Sequence, residues 1–140
     1  MNSRRLTPET MMAKAETACA SARMLLQSGD TDGATNRAYY AMFDAARAAL
    51  LASNAQVDLE TIRTHNGLIG AFGNLLVKNG PVSKDLGRLL GKTYSIRLMA
   101  DYTGISVEPD IARDIVDQAE TFITALRAAC MPDNSNGDMV

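Results

Sequence analysis

The sequence predicts an all-α fold, an up-and-down bundle of about five helices. Apolar residues recur every three to four positions in five segments, which is the spacing of one helix face, and no segment alternates apolar and polar residues as a half-buried strand does. Residues that typically begin or end helices separate the segments. The chain has 140 residues, 46% of them hydrophobic, which suits one domain with one core. We predict that residues 1–130 form this domain and that the polar residues 131–140 form a disordered tail.

The first two helices are bounded by capping and turn residues. Thr7, Pro8 and Glu9 predict the first helix start, because Thr caps a helix, Pro fits its first turn and an acid favours the positive end of the dipole. Gly29 ends this helix, and a second helix is predicted over residues 34–53. The positions expected to face inward are Met11, Ala15, Ala18, Ala22, Leu25, Tyr39, Phe43, Ala46 and Leu50.

A polar connection, residues 54–60, leads to a third helix predicted over residues 64–78. Gly67, Gly70 and Gly73 recur along it, and each costs up to ~1 kcal/mol relative to Ala in a helix interior. Two explanations remain open: close contact with another helix, or a partly irregular segment. The positions expected to face inward are Leu68, Phe72 and Leu75.

The last two helices are predicted over residues 84–102 and 109–129. Ser83 caps the first of them, Gly104 ends it, and Pro109 begins the other. The positions expected to face inward are Leu86, Leu90, Thr93, Arg97, Ile111, Ile115, Ala119, Phe122 and Leu126.

Composition narrows the classes of function. The formal net charge of −2 argues against nucleic-acid binding driven by overall charge, although a local basic patch remains compatible with it. Cys19, Cys130 and a single His do not have the spacing of metal ligands, so we expect no metal and no other cofactor. Two isolated cysteines without an export signal predict reduced thiols in the cytoplasm, and we expect no membrane association because no apolar run is long enough to span a bilayer.

Three separated stretches of the sequence form recognisable motifs: NRAYYAMFDAARA at residues 36–48, THNGLI at residues 64–69, and LGRLL at residues 86–90 followed by RLMADY at residues 97–102. Together they resemble small stand-alone HEPN proteins of the UPF0332 family. Their order and spacing match the family over residues 7–129. The resemblance implies a HEPN-like helical bundle, usually a homodimer. It also implies a metal-independent RNase that acts as a toxin and is encoded beside a nucleotidyltransferase-type antitoxin.

The usual HEPN active-site motif is Arg, four to six residues, and then His. Arg97 matches the Arg, but Tyr102, Thr103 and Gly104 occupy the positions where the His is expected. Two functions therefore remain open, and the question of whether the protein is an enzyme remains open as well. One is a toxin-like protein that cleaves RNA within a toxin–antitoxin or defence module. The other is a non-catalytic module that binds nucleotides or proteins.

Four residues are candidates for catalysis: Arg97, Asp101, Tyr102 and His65. Arg97 and Asp101 are one turn apart, so they form either an intrahelical ion pair or a phosphate site that Asp101 orients and Tyr102 borders. His65 is the only side chain of the sequence whose ordinary pKa lies near neutral pH, which suits the acid or base of metal-free RNA cleavage. The alternative for His65, a capping or packing role, is favoured, and the sequence does not reveal whether His65 reaches Arg97.

Two sets of residues are candidates for RNA or nucleotide binding. Arg37, Tyr40 and Arg47 share a face of the second helix with Asp44; such faces are usually solvated, but Tyr40 suits an interface or base stacking. A basic stripe follows on the fourth helix and is either a solvated face, which is favoured, or a strip that contacts phosphates. Its members are Lys84, Arg88 and Lys92.

Overall fold

The computed structural model describes residues 7–53 and 57–131, and helices account for most of them. Five α-helices follow one another: α1 (Pro8–Gln27), α2 (Thr31–Ala52), α3 (His65–Ala71), α4 (Lys84–Thr103) and α5 (Pro109–Cys130). A 3-10 helix, Thr61–Arg63, precedes α3, and a π-helical segment, Phe72–Lys78, continues it. No strand occurs in these residues, so the all-α bundle is confirmed. The predicted tail lies outside the described residues except for Met131, which is buried.

Capping side chains set the helix ends. The hydroxyls of Thr7 and Ser83 accept hydrogen bonds from the first turns of α1 and α4, and Gly104 ends α4 with a φ of 73°. The second helix begins at residue 31, earlier than predicted, because Asp30 caps it. The carboxylate of Asp30 accepts from the amide of Gly33 at 2.8 Å, ahead of the predicted start at residue 34.

The core is built around α2, which packs against α1, α4 and α5. Small side chains on α2 let its neighbours approach closely, and Tyr39, Met42 and Leu50 fill the remaining space. The buried alanines of α2 are Ala34, Ala38, Ala41, Ala45, Ala46, Ala48 and Ala49. Apart from Ile111 and the partly exposed Arg97, every position predicted to face inward is buried or packed against this core.

Ion pairs join the first and last helices. Arg23 on α1 lies 2.6 Å from Asp117 and 2.7 Å from Glu120 on α5, and Arg127 on α5 lies 2.9 Å from Glu16 on α1. These side chains are all partly exposed, so each pair contributes little stability on its own. They link two helices that are distant in sequence.

The glycines of the third predicted helix accompany an irregular segment rather than close helix contact. A Cβ placed at Gly70 or Gly73 would meet nothing within 4 Å, so no helix approaches there. At Gly67 a Cβ would collide with the carbonyl oxygen of Thr61, which belongs to the preceding turn. The helix widens to π geometry from Phe72 onward, which is typical of a strained or functional segment.

One inward prediction on α5 is wrong. The side chain of Ile111 is 43% exposed, because the buried stripe begins one residue later at Ala112 and continues through Ile115 and Ala119. The opposite face of α5 is polar. Within residues 7–53 and 57–131, no helix combines the length and apolar character needed to cross a membrane.

Candidate functional site

The guanidinium of Arg97 is held against α2. Its Nε donates to the Oδ1 of Asn36 at 2.6 Å. Its Cζ lies 5.3 Å from the centre of the Tyr40 ring and 5.6 Å from that of Tyr39, a cation–π arrangement with both rings. The side chain is only 19% exposed, so its charge is partly removed from water. Arg97 is therefore oriented from α2, across the helix interface.

Asp101 is a distant partner of Arg97. Its carboxylate lies 4.0 Å from Nη2 of Arg97 and is 69% exposed, so the two form a weak ion pair without a hydrogen bond. Sequence reasoning gave the orienting role to Asp101, but the short hydrogen bond comes from Asn36. Tyr102 is 90% exposed, and among the described residues it makes no hydrogen bond or ring contact. The three predicted neighbours are thus close in sequence, but only Arg97 is built into the helix interface.

His65 lies in an aromatic cluster formed by α2, α3 and α4. Its Nδ1 is 2.8 Å from the hydroxyl oxygen of Tyr39, and its ring stacks on Tyr94 with centres 4.9 Å apart. Phe43 meets it edge-on at 5.3 Å. The helix is capped by Thr64 instead, whose hydroxyl accepts from the amide of Gly67. Of the alternatives considered for His65, packing describes its surroundings.

Burial controls the protonation of this cluster. It lowers the pKa of His65 below its ordinary value, and the positive charge of Arg97 lowers it further. Burial also raises the pKa of Tyr39 well above its usual range. At neutral pH both groups are uncharged. His65 and Arg97 do not hydrogen-bond to each other within the described residues, but both rest on the rings of Tyr39 and Tyr40.

The charged face predicted on α2 is only partly solvated. Arg37 is exposed, but Asp44 is 9% exposed, and burial raises its pKa against the opposing charges of Lys14, Arg47 and Arg37. The guanidinium of Arg47 lies over the ring of Phe43, and its Nε is buried without a partner among the described residues. Asp44 and the Nε of Arg47 are therefore buried, although their charge predicts that they would be exposed.

The basic stripe on α4 is exposed, as both of its possible roles require. Lys84, Arg88 and Lys92 are all exposed, and Arg88 pairs with Asp85 at 3.2 Å. Such exposed pairs contribute little stability.

An apolar surface covers the end of α4, the following loop and the start of α5. We call it the α4–α5 surface; its exposed side chains are Leu98, Met99, Tyr102, Ile105 and Ile111. Beside them lies an open cavity of about 320 Å³, lined by residues that include Ile96, Ala100 and Val107. Sequence reasoning missed this surface, although Ile105 in a loop was a signal for it.

Asn36, Tyr39 and Tyr94 are the site residues that sequence reasoning did not identify. Asn36 and Tyr40 are one helical turn apart, so both face the same side of α2, and this spacing was the available signal. Nothing in the sequence connects Tyr94 with His65.

Comparison with known proteins gives consistent results. A family model described as the HEPN domain matches residues 8–129. A protein of Methanocaldococcus jannaschii that is named as a candidate toxin is 31% identical over 121 residues, covering 86% of this chain and 87% of the relative. A UPF0332 protein of Thermotoga maritima is 30% identical over 127 residues, covering 90% and 92%. A UPF0332 protein of Gloeobacter violaceus is 36% identical over 101 residues, covering 71% and 76%.

Proposed function

This chain belongs to the HEPN domain family, and on that premise we propose that it is a toxin-like protein acting on RNA, as a metal-independent endoribonuclease. The observation that carries the proposal is the arrangement of Arg97. It is anchored through Nε, half-enclosed by aromatic rings, and close to the only imidazole of the chain. The name of the Methanocaldococcus relative supports the toxin-like assignment.

The guanidinium of Arg97 is free to bind a phosphate. It has five N–H donors, and the bond to Asn36 uses the one on Nε. Within the described residues, the outer nitrogens have only a long hydrogen bond of 3.5 Å to the hydroxyl of Tyr40 and the 4.0 Å ion pair with Asp101. A phosphate can accept two parallel hydrogen bonds from the N–H groups of one guanidinium. Because the site is partly buried, water competes less for these donors.

In the usual motif a His that follows the Arg supplies an imidazole. We propose that in this chain His65, at the start of α3, supplies it instead. His65 and Arg97 both contact the rings of Tyr39 and Tyr40. A bound ribose phosphate lying across Tyr40 would meet both. RNA cleavage without metal requires groups that donate and accept protons beside the phosphate.

A second candidate is a non-catalytic module that binds nucleotides through the same residues. It is favoured by the absence of His after Arg97 and by the packing of His65 in the aromatic cluster. Both candidates require Arg97, and they differ only in whether bound RNA is cut.

We also propose a homodimer, and a nucleotidyltransferase-type antitoxin as the second partner. The exposed apolar side chains and cavity of the α4–α5 surface support an interface close to Arg97. The proposal of an antitoxin partner is based on the family resemblance alone. A cytoplasmic location is consistent with Cys19 and Cys130 being free thiols.

Expression in a bacterial host tests the function. Wild type, Arg97→Ala and Arg97→Lys are induced while growth and RNA integrity are followed together. Arg113→Ala is the matched control, because Arg113 is an exposed arginine on α5 that belongs to none of the candidate sets. Wild type and the control should slow growth and degrade RNA, and Arg97→Ala should do neither. Intact RNA with retained RNA binding would favour the non-catalytic module, and equal degradation by Arg97→Ala would contradict both candidates.

A further inference from the structure

The hydrogen bond between Tyr39 and His65 determines what the imidazole can do. A neutral imidazole has one nitrogen that donates and one that accepts, and the partner of one nitrogen fixes the role of the other. Tyr39 is fully buried, and Nδ1 of His65 is the only group that its hydroxyl bonds within the described residues. Nε2 makes no hydrogen bond with any described residue, and the His65 ring is partly exposed.

We infer that Tyr39 holds His65 in the tautomer that carries its proton on Nε2, so that His65 presents a fixed N–H donor to the site. If the hydroxyl of Tyr39 donates to Nδ1, its buried hydrogen is paired, and the remaining N–H, on Nε2, belongs to a ring that is partly exposed to water. In the opposite arrangement Nδ1–H donates to the hydroxyl oxygen, and the buried hydroxyl hydrogen is left without an acceptor. Leaving a buried donor unpaired is the more costly choice.

The same bond resists protonation of the ring. An imidazolium is a donor at both nitrogens. Its Nδ1–H would require the hydroxyl oxygen of Tyr39 to accept, and the hydroxyl hydrogen of Tyr39 would then have no acceptor. The titratable groups that face the ring are Tyr39 and Tyr40 on α2, and Tyr94 and Arg97 on α4. None is a carboxylate that would favour the charged form. His65 therefore remains a neutral donor at physiological pH.

This inference rests on the proposed function in one respect, the identity of the group that Nε2–H meets. Beside Arg97, that group is a phosphate oxygen of RNA or of a nucleotide. The imidazole then contributes one hydrogen bond to the anion and does not remove the proton of the ribose hydroxyl, so in a cleaving enzyme a different group accepts that proton. Tyr39 acts only through His65 and is a positioning residue.

Nitrogen NMR tests the tautomer without any ligand, because the chain has one His and no resonance needs assignment among several. The full chain is labelled with ¹⁵N and prepared without a histidine tag. At pH 7.5 the wild type should have an unprotonated Nδ1 and a protonated Nε2. In Tyr39→Phe the two tautomers should mix, and the titration midpoint should rise toward the ordinary value of about 6.5. Tyr94→Phe is the matched control, because it removes a hydroxyl from the stacked ring and should change neither property.

A protonated Nδ1 in the wild type would overturn the inference, even if Tyr39→Phe failed to fold. So would a Tyr39→Phe spectrum and midpoint identical to those of the wild type.

RNA binding tests the donor role separately, with short single-stranded RNA as the probe. His65→Gln keeps an N–H near the position of Nε2 and should bind like wild type. His65→Phe keeps the ring but lacks the donor, and should bind about tenfold more weakly. Equal binding by all three proteins would overturn the donor role while leaving the tautomer result intact. Loss of binding in Arg97→Ala concerns the proposed function alone.

Discussion

Asn36 controls the orientation of Arg97, and replacing it by Ala should weaken anion binding without unfolding the bundle. The substitution removes the 2.6 Å bond to the Nε of Arg97. A hydrogen bond to a charged group contributes about 1.5–3 kcal/mol. Because the Arg97 side chain is 19% exposed, water replaces part of this bond, and the lower end of the range applies. We expect the free energy of unfolding to fall by about 1.5 kcal/mol.

Binding should respond through lost orientation of the guanidinium. A loss of similar size in the binding free energy corresponds to about a tenfold higher Kd for a nucleotide or short RNA. Asn36→Asp should separate the two effects. A carboxylate at this position pairs with Arg97 and keeps the protein stable, but it neutralises the charge that attracts phosphate, so affinity should fall further.

The assays are urea unfolding followed by circular dichroism and fluorescence anisotropy with a labelled single-stranded RNA. Asn66→Ala is the matched control, because Asn66 is exposed on α3. Wild-type affinity in Asn36→Ala together with reduced stability would refute this reasoning, since Asn36 would then be a structural partner only. Wild-type affinity in Asn36→Asp would exclude Arg97 from the binding site.

Three further predictions concern the core and the buried titratable groups. Phe122→Ala removes a ring that packs 5.7 Å from Phe72 and should cost about 3–5 kcal/mol in urea unfolding; a loss below about 1 kcal/mol would contradict this packing. Burial raises the pKa of Asp44, so Asp44→Asn should unfold at a higher temperature than wild type at pH 7, and the gain should vanish as the pH falls below about 4. Burial also raises the pKa of Cys19 to about 11, so iodoacetamide at pH 8 should modify Cys130 first, as peptide mass spectrometry can check.

The helix ends were predictable because their causes are local in sequence. Thr7 and Ser83 each accept a hydrogen bond from a residue three positions ahead, so a short window contains both partners. The start of α2 was missed for a related reason. Asp30 also caps α2 through a residue three positions ahead, but the residues around it are equally typical of a turn.

The site was only partly predictable because its contacts are distant in sequence. Arg97 and Asn36 are 61 positions apart, and Tyr39 and His65 are 26 apart. Arg97 itself was identified from the motif, but its neighbour in sequence, Asp101, was a more obvious partner than Asn36. Similarly, the burial of Asp44 depends on how α1 covers α2, which no periodicity in α2 alone reveals.

The pairing of the first helix with the last has a consequence for folding during synthesis. Arg23 and Glu120 are 97 positions apart, and α5 packs on α2 as well as on α1. The α1–α2 hairpin can form early, because its contacts are local and its loop is short. The side of α2 that receives α5 then stays uncovered until residues 109–130 have emerged from the ribosome. We therefore expect a nascent chain arrested before residue 109 to remain loosely packed and to bind chaperones, although it already contains every residue of the candidate site.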